Sequence, residues 1–198
     1  MRPGNPMRYA PLQICRRSAG FTLVELMITV VVAAILMAIA VPSFRTFMQN
    51  DQQWVQTNNL LLALNTARSD AIKSDLVAGA QVCSSSNGLG CTNTPWNLGW
   101  IVLGADPGNP QNPPKVLQSV GALPPGTTLT EGANNLAIAF RSNGALGALA
   151  NPEPVVSFKM CDVRGAASAR YLQVTLMGRV VASPNVGKDL NGAAFACP

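Results

Sequence analysis

The sequence contains no histidine, and charged residues make up only 12% of its 198 positions. It also has no CxxC pair, no phosphate-binding glycine loop and no two carboxylates at a spacing that suggests acid–base work. Histidine is the most frequent general acid or base, and structural zinc sites usually bring cysteines in close pairs. These absences argue against an enzyme and against a zinc protein. We therefore expect a non-catalytic chain that needs no metal and no cofactor.

Five cysteines are present, and their positions divide them into two groups. Cys15 precedes a long apolar run, whereas Cys83, Cys91, Cys161 and Cys197 all follow it. An even number of cysteines beyond a membrane anchor suggests two disulfides in an oxidising compartment. Four cysteines allow more than one pairing. We expect Cys83 to pair with Cys91 across a short loop, and Cys161 to pair with Cys197 and fasten the C-terminal tail to a strand.

Positive charge is concentrated at the N-terminus. The formal net charge is +5, but four of the fourteen basic residues lie before Gly20, in a segment without any acid: Arg2, Arg8, Arg16 and Arg17. Without that segment, ten basic side chains face nine acidic ones, so the remainder is nearly neutral. Positive charge in front of an apolar run keeps that side of the run in the cytoplasm. We interpret residues 1–20 as an unstructured leader that does not enter the fold.

The segment from Phe21 to Val41 is an apolar run of twenty-one residues with a single charge, Glu25. As an α-helix it would be about 31 Å long, enough to cross the hydrocarbon core of a bilayer. Beyond Pro42, apolar side chains recur at helical spacing, namely Leu60, Leu64, Ala67 and Ala71. We expect residues 42–77 to continue the helix, with an amphipathic second half that ends near Asp75.

After Gly79 the pattern changes to alternation of apolar and polar residues, which predicts half-buried antiparallel strands over residues 78–198. The alternating apolar positions are Leu136, Ile138 and Phe140, then Val156, Phe158 and Met160, then Leu172, Val174 and Leu176. Met177-Gly178 predicts a hairpin that leads into a further strand. Pro107 to Pro114 and Ser142-Asn143-Gly144 are typical of an exposed loop and a turn, respectively. We expect Trp96 and Trp100 to be packing residues.

The junction between the leader and the apolar run carries the most specific motif. It reads Arg16-Arg17-Ser18-Ala19-Gly20-Phe21-Thr22-Leu23-Val24-Glu25-Leu26 and resembles the processing motif of type IV prepilins. In that family a membrane peptidase cuts after the glycine and methylates the new N-terminal residue. The resemblance therefore implies leader cleavage between Gly20 and Phe21, and N-methylation of Phe21.

Glu25 is the one carboxylate within the apolar run. A charge at the centre of a bilayer costs about 2.5–3.5 kcal/mol, and such a residue usually has a partner or a role. A natural partner is the new terminal amine of a neighbouring subunit, so we expect Glu25 to act in subunit assembly. The alternative is that Glu25 only marks an interfacial helix end, in a bitopic protein that is neither processed nor polymerised.

Later segments resemble the GspH/FimT family of minor pilins and pseudopilins. They are Trp96 to Val102, Phe140 to Gly144, and Leu172 to Val180 with Gly178-Arg179. The resemblance implies an α+β pilin-like fold, with a long N-terminal helix packed on antiparallel β-sheet and a periplasmic domain at 78–198. It implies a subunit of a type IV pilus or a type II secretion pseudopilus at the inner membrane. Its partners would be a prepilin peptidase and other pilins, through the N-terminal helix.

The FimT branch of this resemblance implies an alternative function, which is DNA binding for uptake in natural transformation. Its DNA-binding members have two arginines, one residue apart, after the glycine of the C-terminal hairpin, and here Gly178-Arg179-Val180-Val181 supplies only the first. The candidate contacts are Arg179, Arg170 and Lys159, of which strand alternation predicts the last two to be exposed. We favour assembly over DNA binding on this evidence.

Overall fold

The computed structural model describes residues 20–74, 79–104 and 114–197. The chain divides into two compact units, Met1–Arg45 and Thr46–Pro198. Residues 1–19 of the expected leader at 1–20, and most of the expected loop from Pro107 to Pro114, lie outside the described residues.

Helix α1 covers Leu23–Ser74 and contains Pro42. At its start, the hydroxyl of Thr22 accepts a hydrogen bond from the backbone N–H of Glu25 at 3.2 Å. This is an N-cap, which satisfies one of the backbone donors that the first helical turn leaves free. An acidic side chain in the first turn also interacts favourably with the positive end of the helix dipole. The Thr22 cap and the acidic side chain of the first turn therefore explain why the helix begins immediately after the Gly20–Phe21 junction.

In the first unit, the apolar side chains of α1 are exposed. The most apolar 18-residue window of the helix has a mean hydropathy of 2.7, and none of it is buried within the protein. By length and composition the helix is able to cross a membrane. The exposed side chains include Val31, Ile35 and Ile39.

In the second unit, α1 is amphipathic. Its buried apolar stripe consists of Leu60, Ala63, Leu64, Ala67 and Ala71, so the helical spacing of Leu60, Leu64, Ala67 and Ala71 gave the correct buried face. Three of the five are alanines, which let the helix backbone approach the sheets closely. The described helix ends at Ser74, and the expected extension to 77 falls on residues 75–78, outside the description.

Two four-stranded antiparallel sheets pack with this stripe. The first has the order β3-β2-β1-β5, formed by Lys115–Val120, Trp100–Gly104, Ala80–Ser84 and Ala137–Phe140. The second has the order β4-β6-β7-β8, formed by Thr128–Glu131, Val155–Cys161, Arg170–Thr175 and Val180–Ala182. Short 3-10 helices cover Trp96–Leu98 and Ala166–Ser168. The expected α+β architecture, with a long N-terminal helix packed on antiparallel β-sheet, is confirmed.

The core forms where the inward faces of both sheets meet the helix. The alternation in β6 and β7 correctly predicted that Val156, Phe158 and Met160, and also Leu172 and Val174, would be buried. Trp96 meets Phe158 edge to face, with ring centroids 5.0 Å apart, and donates from Nε1 to the carbonyl of Asn135 at 2.8 Å. Trp100 is also fully buried. Both tryptophans are therefore core residues, as predicted.

The β7–β8 hairpin was predicted correctly, but one of its residues was not. We expected Leu176 to continue the buried face of β7, whereas β7 ends at Thr175 and Leu176 is 54% exposed. The reason is the turn: Gly178 N–H donates to the carbonyl of Thr175 at 2.8 Å, so Leu176 lies within the four-residue connection 176–179. Its side chain is thereby directed away from the core.

Candidate functional site

The expected processing junction is accessible. Gly20 and Phe21 both lie outside α1, and the ring of Phe21 is 77% exposed. Among the described residues, no atom beyond its chain neighbours lies within 4 Å of the position that a β-carbon on Gly20 would occupy. A bulkier residue at this position would therefore cause no clash with the described part of the chain. Any sensitivity to its size would come from a partner that handles the junction.

Glu25 occupies the first turn of α1 and is exposed. Its backbone N–H is bound by the Thr22 hydroxyl, which holds the start of the helix in place. The cap uses only the main chain of Glu25 and does not engage its carboxylate. The cap holds the start of the helix in place, and the Glu25 carboxylate belongs to the residue three positions after the cap. This arrangement suits binding of a cation close to the N-terminus of the helix.

The four cysteines beyond the helix form two disulfides in the structure. Cys83 on β1 is joined to Cys91 with 5.6 Å between their α-carbons, and Cys161 at the end of β6 is joined to Cys197 with 6.0 Å. These are the pairings expected from the sequence. Cys15 lies outside the described residues.

The second disulfide holds the C-terminal tail against the outer side of the second sheet. Phe195 of the tail lies 5.6 Å from the ring of Tyr171, and the ammonium of Lys159 lies 5.7 Å from the centre of the Phe195 ring. Burial raises the pKa of the Tyr171 phenol. Lys159 is therefore half-covered by the tail of its own chain, and the prediction that it would be exposed was wrong.

Arg170 also differs from the prediction, but for another reason. Its guanidinium lies 5.2 Å from the centre of the Trp54 ring on α1, a distance typical of a cation–π contact. Burial lowers the pKa of Arg170, and its Nε has no hydrogen-bond partner among the described residues. Arg170 is paired with the buried Met160 of β6 and lies on the same face of β7 as Leu172 and Val174. Period two therefore places Arg170 on the inward face, and the prediction that it would be exposed was wrong.

Arg179 is exposed immediately after Gly178. Of the three candidate DNA contacts, Arg179 alone thus has its side chain largely in solvent. A fourth basic residue, Arg164, is bound to Asp162 at 2.6 Å and to Asn50. The structure therefore does not bring Arg179, Arg170 and Lys159 together as an open cationic stripe.

Sequence reasoning missed Arg68, which connects α1 to two turns of the sheets. Its Nε donates to the carbonyl of Gly144 at 3.0 Å, and its Nη2 donates to the carbonyl of Met177 at 3.3 Å. These partners are 76 and 109 residues away along the chain. No local pattern could have identified the contact.

Glu131 was also missed, although its carboxyl is one of the few buried in the described residues. It is 4% exposed, and its Oε2 accepts hydrogen bonds from the N–H groups of Ala133 and Asn135. Its Oε1 has no partner. Burial raises the pKa of Glu131, and the two backbone hydrogen bonds oppose that rise.

Residues 56–178 match the family described as Type II transport protein GspH, and residues 15–41 match the prokaryotic N-terminal methylation motif. The GspH match spans more than half of the chain. This chain belongs to the GspH family.

Among solved structures, the GspH-family fold seen here is similar to the type IV minor pilin FimU of Pseudomonas aeruginosa. The match to one crystal form has a TM-score of 0.50 and 19% identity, and covers 70% of this chain and 92% of FimU. A second crystal form gives a TM-score of 0.46 and 20% identity, covering 64% and 89%. A comparison with curated proteins found no match to this sequence. At these identities the likeness to FimU establishes the fold alone.

GspH-family membership and the methylation motif identify the protein as a minor pilin or pseudopilin. Pilin and pseudopilin families consist of structural subunits, and their members assemble with other pilins after processing by a prepilin peptidase. In the described ranges, no three side chains among Cys, Asp and Glu lie close enough together to hold a metal ion.

Proposed function

We propose that this minor pilin or pseudopilin has no enzymatic activity and is a processed, membrane-anchored subunit of a type IV pilus or a type II secretion pseudopilus. Residues 1–20 would be the cleaved leader, residues 21–41 the segment in the inner membrane, and residues 42–77 its amphipathic continuation. Residues 78–198 would be the periplasmic domain. The observation that carries this proposal is the apolar first part of α1, which none of the described residues buries.

The charge distribution supports this orientation. The basic residues of the leader precede the apolar helix, whereas the segment beyond Gly20 is nearly neutral. Positive charge on one side of a membrane span holds that side in the cytoplasm. The two disulfides support a periplasmic location for the domain, because that compartment is oxidising.

Assembly would give the exposed apolar helix a second environment in place of lipid. Helices that pack together in a filament core bury the same side chains that the bilayer covers beforehand. Glu25 would then face the methylated amine of Phe21 from a neighbouring subunit. A carboxylate and an amine attract each other strongly where water is scarce, so this pair favours incorporation of a correctly processed subunit.

Mass spectrometry of membrane fractions tests the processing step. We expect a mature chain that begins at a methylated Phe21, and we expect Gly20→Val to leave the leader attached. Gly90→Val is the matched control, because Gly90 is equally uncrowded but lies far from the junction. A wild-type protein that retains residues 1–20 would contradict the proposal and favour an unprocessed bitopic protein.

Substitution of Glu25 separates assembly from folding. Glu25→Ala should be processed and inserted in the membrane, yet should be depleted from purified filaments or from pull-downs of other pilins. Asp51→Ala is the control, since Asp51 is an exposed acid on the same helix. Equal incorporation of Glu25→Ala and wild type into filaments would contradict the proposed ion pair.

A further inference from the structure

Three exposed apolar side chains lie on neighbouring turns of the second unit. Ile72 is on the last turns of α1 and is 49% exposed, while Leu176 and Met177 form the tip of the β7–β8 hairpin. Met177 is 76% exposed. We call Ile72, Leu176 and Met177 the hairpin patch. Contiguous apolar groups on a protein surface commonly mark an interaction site.

The hairpin patch is held in place by several contacts across the chain. Arg68 donates to the carbonyls of Gly144 and Met177, and the N–H of Leu146 donates to the carbonyl of Leu176 at 3.0 Å. Ile72 packs beside the α-carbon of Gly144. The patch is therefore preformed, and a partner would not have to order it.

Basic residues flank the hairpin patch at its two sheet turns. Arg179 follows the hairpin turn, and Arg141 precedes the turn at Gly144; both are exposed. Segments 141–150 and 176–188 contain no acidic residue. The rim of the patch on its sheet side is thus cationic.

We propose that the hairpin patch is a docking surface for another pilin subunit, one that presents an apolar centre with acidic side chains around it. Charge complementarity selects this partner, because an acidic rim compensates Arg141 and Arg179. Methionine and arginine are enriched at protein interfaces, whereas binding to nucleic acid backbone would leave Leu176 and Met177 without apolar contacts. The inference rests on the proposed function, since it needs a filament neighbour.

Photo-crosslinking in cells that express the full chain tests the surface. A benzophenone amino acid replaces Met177, and in a parallel sample it replaces Val163, which is 77% exposed but lies outside the patch. We expect crosslinks from position 177 to a protein that carries its own prepilin processing motif, through a peptide with acidic side chains. The yield should exceed that from position 163 by about fivefold or more, the ratio that about 1 kcal/mol of contact energy gives.

Charge variants complete the test in the same strain. Arg179→Glu should lower the yield from position 177 about fivefold, and Arg179→Lys should restore most of it. Equal yields from positions 177 and 163, crosslinks to DNA or lipid, or indifference to Arg179→Glu would each overturn the proposal. Cleavage after Gly20 is measured in every sample. An uncleaved chain therefore reports failure of the proposed function, and a cleaved chain without the crosslink reports failure of the docking surface alone.

Discussion

Gly178 in the β7–β8 hairpin approaches the backbone of Gly144 so closely that a β-carbon on Gly178 would overlap the Gly144 carbonyl oxygen. The same carbonyl accepts the hydrogen bond from Arg68 Nε. Gly178 also has a φ of +72°, a conformation that side chains disfavour by about 1–2 kcal/mol. The hairpin, the Gly144 turn and α1 thus meet at one point that only glycine fits.

We predict that Gly178→Ala destabilises the domain by more than about 2 kcal/mol, because conformational strain and the steric overlap add. The matched control is Gly165→Ala. Gly165 also has a positive φ, at +82°, but nothing lies within 4 Å of its β-carbon position. That variant should lose only about 1–2 kcal/mol. Denaturant unfolding of the full chain in detergent measures both, and equal losses would contradict the close approach.

The two disulfides should contribute unequally to stability. In the chain-entropy account, the bridge from Cys161 to Cys197, which spans 36 residues, contributes about 4 kcal/mol, and the bridge from Cys83 to Cys91, which spans 8, about 2.5 kcal/mol. The Cys161→Ser, Cys197→Ser double variant should therefore unfold at lower denaturant than the corresponding Cys83, Cys91 variant. Peptide mapping without reduction checks the pairing, and free thiols at all four positions would contradict both bridges.

Glu131 should make stability depend on pH in the acidic range. Because burial raises the pKa of Glu131 in the folded protein above the ordinary value of 4.5, the folded state holds the proton more tightly than the unfolded state. The stability that protonation confers is complete below 4.5 and is lost as pH rises through the raised pKa. The variant Glu131→Gln retains an oxygen for the N–H groups of Ala133 and Asn135 but does not ionise.

We therefore predict that Glu131→Gln gains stability relative to wild type as the pH is raised from about 4 to 7. Unfolding curves of the full chain across this range measure the difference. Asp51→Asn, an exposed carboxylate, is the control and should follow wild type. A constant difference between Glu131→Gln and wild type would contradict a raised pKa.

DNA binding should be weak at physiological salt. Lys159 and Arg170 already contact Phe195 and Trp54 within the chain, and the segment beyond the leader is nearly neutral. A fluorescence titration with duplex DNA over a range of salt concentrations tests this, because each neutralised phosphate steepens the salt dependence. Tight, salt-sensitive binding that Arg179→Gln abolishes, and Lys115→Gln does not, would make DNA capture the leading function.

The sequence by itself determined the features that depend on local order. Gly20, Phe21 and Glu25 of the processing motif are neighbours in the chain, and the helical spacing of Leu60 and Leu64 requires only one face of one helix to be buried. Strand alternation likewise identified the buried side of β6 and β7, and the turn residues identified the hairpin. Periodicity encodes such features because each element must turn its apolar face towards whatever covers it.

The tertiary structure alone decided which side chain meets which. Arg68 finds its partners 76 and 109 residues away, Arg170 is covered by Trp54, and Lys159 by the tail residue Phe195. A period of two places Lys159 on the outer face of the sheet, but it carries no information on what later covers that face. Arg170 lies instead on the inward face with Leu172 and Val174, where Trp54 of α1 meets it. The exposure of a side chain depends on the packed fold. Whether Lys159 and Arg170 are open to solvent or are contacted by other side chains is therefore decided only when distant segments pack together.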